Sequence, residues 1–433
     1  MKPVTGTRRQ SLQLTCLLAL AVFAPAAYAF QFHAAHSDPV APVILGVTTI
    51  LFVALLGRFG ARHLGMPSVI GELGMGILIG NVAYYIGFDM ITVLREGPAI
   101  FDAVDRLLQG EACEVVFDSA PRPERAQYLH SLLTGVHGEE LIQVAHTLDV
   151  FSRSGIIFLL FMVGLRTSID EMRQVGPDSV RVALIGVLLP FALGFASSYL
   201  LIPDISFHTS LFLGAALGAT SVGISVMVLQ ELNLEQTKVA HIILGAAVID
   251  DILGLLLLAI VSGIVVTGGI ELMQILSVIL MTSLFLAGAI YLGPWLLKLV
   301  IRLIHHLDIL EAKLFVSFLF VMVLAWLANL AGLATIIGAF TAGLIMHDAY
   351  FRYWGQVREH PVSISGLIMP LEVILVPIFF VLMGIQVKLE TFLDWKVVIL
   401  AAGLLVSAII GKVLAGFGVS RGGNRWAVGL GML

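Results

Sequence analysis

Residues Gly245-Ala-Ala-Val-Ile-Asp-Asp-Ile-Leu-Gly254 decide how this chain is read. They lie within an apolar run from about Val239 to Val266, long enough to cross a hydrocarbon core of roughly 30 Å at about 1.5 Å per residue. Asp250 and Asp251 therefore fall near the midplane, where a charged side chain costs about 2.5–3.5 kcal/mol on insertion scales. Successive helix residues point about 100° apart, so only one of the two carboxylates faces a given cavity squarely. The other is left to meet a different partner. Hydrogen bonding to nearby backbone donors is one account of the pair. An intramembrane site for a cation, a proton, or each in turn is the account adopted here.

Composition supports a bilayer setting. Of 433 residues, 59% are hydrophobic and 12% charged, against about 25% charged in soluble domains. The 43 glycines suit closely packed membrane helices, in which small residues let backbones approach. The net charge of −5 comes with no basic run of the kind that binds nucleic acid. Cys16 and Cys113 form neither a disulfide framework nor a metal-ligand spacing. No nucleophile–base pair or metal cluster points to an enzyme, and no cofactor motif occurs.

Residues 1–29 read as a secretory signal, with Lys2, Arg8 and Arg9, then an apolar stretch from Leu12 to Pro25, then Ala27-Tyr-Ala29. An uncleaved first membrane helix is the alternative. The transporter domain then occupies 30–433, with eleven membrane segments expected near 41–62, 67–87, 150–168, 180–202, 207–230, 237–265, 271–303, 312–330, 334–347, 362–387 and 395–418. Arg58, Arg62, Arg166, Arg173, Arg181, Lys238, Lys298, Arg302, Lys313, Arg352, Arg358, Arg421 and Arg425 fall on one side of that arrangement. The short loops opposite hold only Lys388 and Lys396. The arginine-rich side is therefore assigned to the cytoplasm, which puts the mature N-terminus outside, as a cleaved signal requires. The one long polar stretch, 88–149, becomes an extracytoplasmic, acid-rich insertion, read as a solvated loop in preference to a small subdomain.

Two pairs of stretches repeat. Phe158-Leu-Leu-Phe-Met-Val-Gly-Leu-Arg-Thr-Ser-Ile-Asp-Glu-Met172 resembles Ile378-Phe-Phe-Val-Leu-Met-Gly-Ile-Gln-Val-Lys-Leu-Glu-Thr-Phe392. Upstream of these, Ser68-Val-Ile-Gly-Glu-Leu-Gly-Met-Gly-Ile-Leu78 resembles Thr335-Ile-Ile-Gly-Ala-Phe-Thr-Ala-Gly-Leu-Ile345. Segments two and three thus correspond to nine and ten, and the odd offset of seven makes the repeat inverted. Segment four then pairs with segment eleven, which carries Lys412. Segments five and six lack counterparts, so the chain reads as truncated at the C-terminus, with the stretch from Trp426 to Leu433 as the start of a missing helix.

Segment five contains Gly214-Ala-Ala-Leu-Gly-Ala-Thr-Ser-Val-Gly223, where Gly218, Thr220, Ser221 and Gly223 weaken a helix. A break at mid-depth exposes carbonyls to a cation and a positive helix end to a carboxylate; a close-packing face of small residues is the other reading. Lys412, in Ile409-Ile-Gly-Lys-Val-Leu414, is too far inside its segment to snorkel, so Asp250 or Asp251 is its natural partner. Glu72 and Glu372 sit nearer segment ends, where structural pairing or polar lining is expected.

The Ala-Ala-Val-Ile-Asp250-Asp251 stretch, Ala-Thr220-Ser221, Pro67-Ser-Val-Ile-Gly-Glu72 and Gly-Lys412 together resemble the monovalent cation:proton antiporters, in particular the bacterial Na+/H+ exchanger branch with paired aspartates. The resemblance runs from Ala41 to Leu433 outside the 88–149 insertion. It implies an all-α polytopic protein of the bacterial inner membrane, an inverted-repeat fold with crossed broken helices, and a homodimer whose core domain moves against a dimerisation domain. By the same resemblance Asp251 is the principal carboxylate for the transported Na+, Asp250 a proton-linked partner of Lys412, and Thr220 and Ser221 part of the crossed helix. Exchange of Na+ (or Li+) for H+, usually electrogenic where both aspartates are present, is the activity this implies. K+/H+ exchange, a K+ efflux system, and a non-transporting scaffold or sensor made from a shortened transporter are the rivals. The chain departs from the pattern in its long insertion, in Arg166 where the family more often has glutamate, and in its missing last helices.

Overall fold

The computed structural model describes residues 38, 40–97, 100–101, 106–107, 129–135, 137–166, 169–202, 205–218, 225, 228–229, 232–234, 236–267, 272–304, 308–351, 362–420 and 424–432. The expected signal segment and Cys113 lie outside them. The described chain is helical: α1 (Ala41–Leu64), α2 (Ser68–Ile86), α3 (Asp89–Leu94), α4 (Gly138–Arg166), α5 (Ile169–Leu201), α6 (Phe207–Gly218), α7 (Lys238–Thr267), α8 (Leu272–Leu303), α9 (Ile309–Leu330), α10 (Thr335–Ile345), α11 (Ile364–Ile385), α12 (Trp395–Ala415) and α13 (Arg425–Gly431). Helices are what a membrane demands, because lipid offers backbone groups no hydrogen-bond partners. Among the described residues, eight helices are long and apolar enough to cross a bilayer.

Local chemistry sets the helix ends. Gly65 and Gly87 close α1 and α2 in the left-handed region, at φ 69° and 79°, where a side chain would be strained. Asp308, Asp394 and Asn424 cap α9, α12 and α13 by accepting from Leu310 N, Lys396 N and Ala427 N. Two expectations need correction here. α4 begins at Gly138 and α5 at Ile169, well before the positions near 150 and 180 at which apolar runs start. Their first turns carry acids and polar residues, which hide a helix from a reading based on hydropathy.

The chain divides into two compact units. One holds residues 1–155 and 373–389. Its core brings Ile50, Val53 and Ala54 of α1 together with Ile378, Val381 and Ile385 of α11. Met90, Val93, Ile100, Phe101, Leu129, Leu133, Val144 and Leu148, from the stretch read as a solvated insertion, are buried in the same core. Among the described residues of that stretch the solvated-loop expectation is overturned, because their apolar side chains supply part of the packing. Arg58 pairs with the fully buried Glu72 between α1 and α2, the structural role expected of that glutamate. Asn81 donates to the carbonyls of Ile77 and Val387 and accepts from Leu389 N and from the buried Arg95. Glu96 pairs with Lys388 at 2.8 Å.

The other unit holds residues 156–372 and 390–433. In it α5 packs against α6, α7 and α12. Val182, Ala183, Ile242, Ile243, Ala246, Ala415, Val419, Val428 and Met432 form a buried cluster there. Asp178 accepts from the backbone N and Oγ of Ser420 and pairs with Arg181. Lys313 is buried and donates to Val362 O at 2.9 Å, while Glu372 is buried within α11.

The repeated motifs meet reciprocally. Gly76 of the first upstream motif packs on Val381 and Gly384 of the second downstream motif. Gly343 of the second upstream motif packs on Phe161 and Gly164 of the first downstream one. In both places a side chain would strike the neighbouring backbone, which cannot yield. We therefore predict that Gly384→Leu and Gly343→Leu each destabilise the protein by about 3 kcal/mol or more. Gly74→Leu, on the open side of α2, should stay within about 0.5 kcal/mol of the parent. Thermal unfolding followed by fluorescence-detected gel filtration checks the contrast.

Candidate functional site

α7 carries Asp250 halfway along its 30 residues, with zero side-chain exposure. Lys412 of α12 reaches it, with Nζ 2.9 Å from Oδ2 and a side chain 7% exposed. Two opposite charges are thus placed together where neither meets bulk water. A second contact gives the lysine a further task. Its Nζ donates at 3.3 Å to the carbonyl of Gly218, the last residue of α6. The Gly218 carbonyl gives the buried ammonium a second acceptor besides the carboxylate. Lys412 therefore bridges a carboxylate on one helix and a backbone carbonyl of another.

Small and polar residues hold this geometry. Gly411, beside the lysine, lies against Pro190 of α5, where a Cβ would fall 2.5 Å from the proline Cγ. Any side chain at 411 would push α12 away from α5. One turn earlier, Ser407 Oγ lies 3.3 Å from Leu193 O, to which it donates, and 3.2 Å from Ser197 Oγ. Gly218 in turn sits beside Val187 of α5. α5 is the common wall against which the lysine helix, α6 and the aspartate helix are set.

The residues expected from sequence fare differently. Asp250 and Lys412 are in contact. Asp251 follows in the same helix, and its side chain lies outside the described residues, as do Thr220 and Ser221 entirely. α6 ends at Gly218, two residues before Thr220. Arg166 ends α4 with an exposed side chain, and its carbonyl accepts from Gln236. Ser407 and Pro190 escaped the sequence reading, and Gly411 entered it only as the neighbour of Lys412. A glycine next to a deep lysine and a proline inside an apolar helix were the available signals. Among the described residues, no group of three His, Cys, Asp or Glu side chains comes together as a metal site.

Removing one member of a buried pair leaves the other charge uncompensated, at a cost of about 3–5 kcal/mol. Lys412→Met should therefore destabilise the protein strongly, and adding Asp250→Asn should restore most of the loss. Thermal unfolding of the two single variants and the double variant measures this. An additive double variant would mean that the residues do not act as a pair.

Comparison with known proteins follows the same lines. The family model described as "Sodium/hydrogen exchanger, transmembrane" matches residues 126–433. The high-affinity Na+/H+ antiporter NhaS3 of Synechocystis sp. is 34% identical over 401 residues, which cover 91% of this chain and 80% of that protein. The Na+/H+-K+ antiporter GerN of Bacillus cereus is 32% identical over 283 residues, 65% of this chain and 69% of that protein. Among solved structures, the sodium proton antiporter MjNhaP1 from Methanocaldococcus jannaschii at pH 8 superposes with a TM-score of 0.54 over 90% of this chain and 83% of its own, at 16% identity. That likeness shows the antiporter fold.

Proposed function

The chain belongs to the sodium/hydrogen exchanger family of membrane transporters, and we propose that it exchanges Na+ (or Li+) for H+ across the bacterial inner membrane as a homodimer. Members of this family are secondary transporters, not enzymes. The observation that carries the reading is the buried Lys412–Asp250 pair, one residue from Asp251 and in contact with the Gly218 carbonyl of α6. Asp251 is assigned the cation, and Thr220 and Ser221 are assigned to the crossed helix, as the family resemblance implies. The reciprocal contacts Gly76–Gly384 and Gly164–Gly343 join equivalent positions of the repeated motifs and support the inverted-repeat reading. The excess of arginine and lysine on one side supports a cytoplasmic face there.

The mechanism is competition at one carboxylate. Asp251 at mid-depth is neutralised either by a proton or by a cation, and either occupant lowers the desolvation cost of turning the site to the other side. An arriving cation also acts on the pair beside it. Its field opposes the ammonium of Lys412, which releases a proton while Asp250 stays a carboxylate. Two protons, one from Asp251 and one from Lys412, then exchange for one cation. The site carries one more negative charge when cation-loaded than when proton-loaded, so each cycle moves net charge.

K+ is the competing cargo, and GerN is a relative whose name includes it. Carboxylates and hydroxyls alone do not fix ion size, so both cations belong in the test. In everted vesicles with a pH-sensitive dye, lowering the pH on the cation side should raise the apparent KM for Na+, because protons occupy Asp251. Asp251→Asn should abolish exchange while nearly preserving shape. A KM that stays flat between pH 6 and pH 9 would contradict shared occupancy, and exchange driven by K+ but not Na+ would reassign the cargo.

A further inference from the structure

α4 carries another pair of charges at membrane depth. Asp149 Oδ2 lies 2.7 Å from Nε of Arg153, one helical turn further on. The stretch from Ser154 to Leu165 is uncharged, and Arg166 ends the helix with an exposed side chain. With Arg166 at one edge of a hydrocarbon core roughly 30 Å thick, a rise of about 1.5 Å per residue puts Arg153 roughly 20 Å in and Asp149 roughly 25 Å in. Both stop short of the far edge. Charge at that depth is faced by protein or by water, because lipid accepts a guanidinium only at about 2.5–3.5 kcal/mol or more. Leu141, Val144, Ala145 and Leu148 turn one face of α4 into the core of the first unit. The Arg153 side chain leaves a different face and is 62% exposed. Outwards from Arg153 that face is polar, through His146, Gln143 and Glu139; inwards it is apolar, at Ile157, Leu160 and Gly164. Further in, each residue from Phe158 to Val163 is 4% exposed or less, so protein surrounds that part of the helix on all sides. A polar stripe that runs in from one end of a membrane helix, and stops where the helix becomes enclosed, is the pattern of a wall along a water-filled recess.

We propose that this face of α4 lines an aqueous vestibule on the Gly138 side of the membrane, and that the Asp149–Arg153 pair meters the monovalent cations entering it. Asp149 draws cations in and Arg153 opposes them. The Gly138 side is extracytoplasmic in the orientation assigned from the basic residues. Fixed charges in a confined recess change the local concentration of small ions, and salt screens the effect. Arg153 is thus a steering charge, not a ligand, and it sets the apparent affinity for the cation at one membrane face. The transported ion rests on the antiport reading, whereas the vestibule rests on α4 alone.

Two measurements test it. In a background carrying Cys16→Ser and Cys113→Ser, Val150→Cys is the reporter, because Val150 is exposed and neighbours Arg153 one turn away. Phe151→Cys, at similar depth on a face about 160° from Arg153, is the control. Membrane-impermeant thiol reagents, one cationic and one anionic, are applied to spheroplasts and to everted vesicles. Val150→Cys should react in spheroplasts only, and Phe151→Cys with neither reagent. Adding Arg153→Gln should raise the ratio of cationic to anionic rates about threefold, and adding Asp149→Asn should lower it about as much. Both shifts should fade in about 0.5 M choline chloride. The second measurement is the apparent KM for Na+ at each membrane face, read as proton movement. In right-side-out vesicles Arg153→Gln should lower it about threefold and Arg153→Lys should keep the parent's value, while in everted vesicles neither variant changes it. A structural role would neither follow the sign of the reagent nor fade with salt. The proposal is overturned if Val150→Cys does not react, reacts from the cytoplasmic side alone, or reacts no better than Phe151→Cys. A rate ratio indifferent to Arg153→Gln, or a parent-like KM in that variant, overturns it as well. Charge-dependent labelling in a parent that exchanges neither Na+ nor K+ would support the vestibule and remove the antiport reading.

Discussion

The structure depends on holding one positive and one negative charge together where water does not reach. A lone ammonium or carboxylate in that setting costs several kcal/mol, so Lys412 and Asp250 can be accommodated only in contact. The contact in turn constrains three helices. α7 must present Asp250, α12 must bring Lys412 within 2.9 Å of it, and α6 must place the Gly218 carbonyl against the same ammonium. A pair with this cost would be a poor way to gain stability, since apolar side chains of similar volume usually do as well. Its retention makes sense if the charges are needed in a second arrangement, which is what a cation arriving at the adjacent Asp251 would produce.

Close approach is the second constraint, and glycine meets it. Gly411 lets α12 lie on Pro190, and the same principle recurs where Gly76 meets Gly384 and Gly343 meets Gly164. Without a hydrophobic force between helices in lipid, small residues at the crossings let dispersion and hydrogen bonds hold the bundle. Crossings made this way are rigid because backbone lies against backbone. A rigid frame suits a site in which a shift of about 1 Å separates a paired charge from a stranded one.

Much of this was legible in the sequence because charge in an apolar run is so costly. Asp250, Asp251 and Lys412 announced themselves by depth alone, and the repeated motifs pointed to the glycines that cross. Other features were hidden for physical reasons. The early turns of α4 and α5 are polar, so hydropathy placed their starts too late. The stretch from Phe88 to Asp149 was judged by its acids, whereas the spacing of Met90, Val93, Ile100, Phe101, Leu129 and Leu133 builds a core. Ser407 and Gly411 act across 200 residues or more of sequence, on Leu193, Ser197 and Pro190. No local pattern encodes such a pairing. Depth alone left Asp250 and Asp251 open as the partner of Lys412; the family resemblance singled out Asp250, and the structure brings those two into contact.

The central claim is that the Lys412–Asp250 pair opens during transport and lets a second proton move. Na+-driven proton movement in proteoliposomes, with and without a potential clamped by valinomycin and K+, tests it most directly in the parent and in Asp250→Asn. With the carboxylate gone there is no pair to open, so the second proton is lost from the cycle and one proton exchanges for one cation. The account predicts that the parent responds to the imposed potential, whereas Asp250→Asn exchanges more slowly and ignores it. Equal sensitivity to potential in the two proteins would contradict the account and leave the pair a fixed strut.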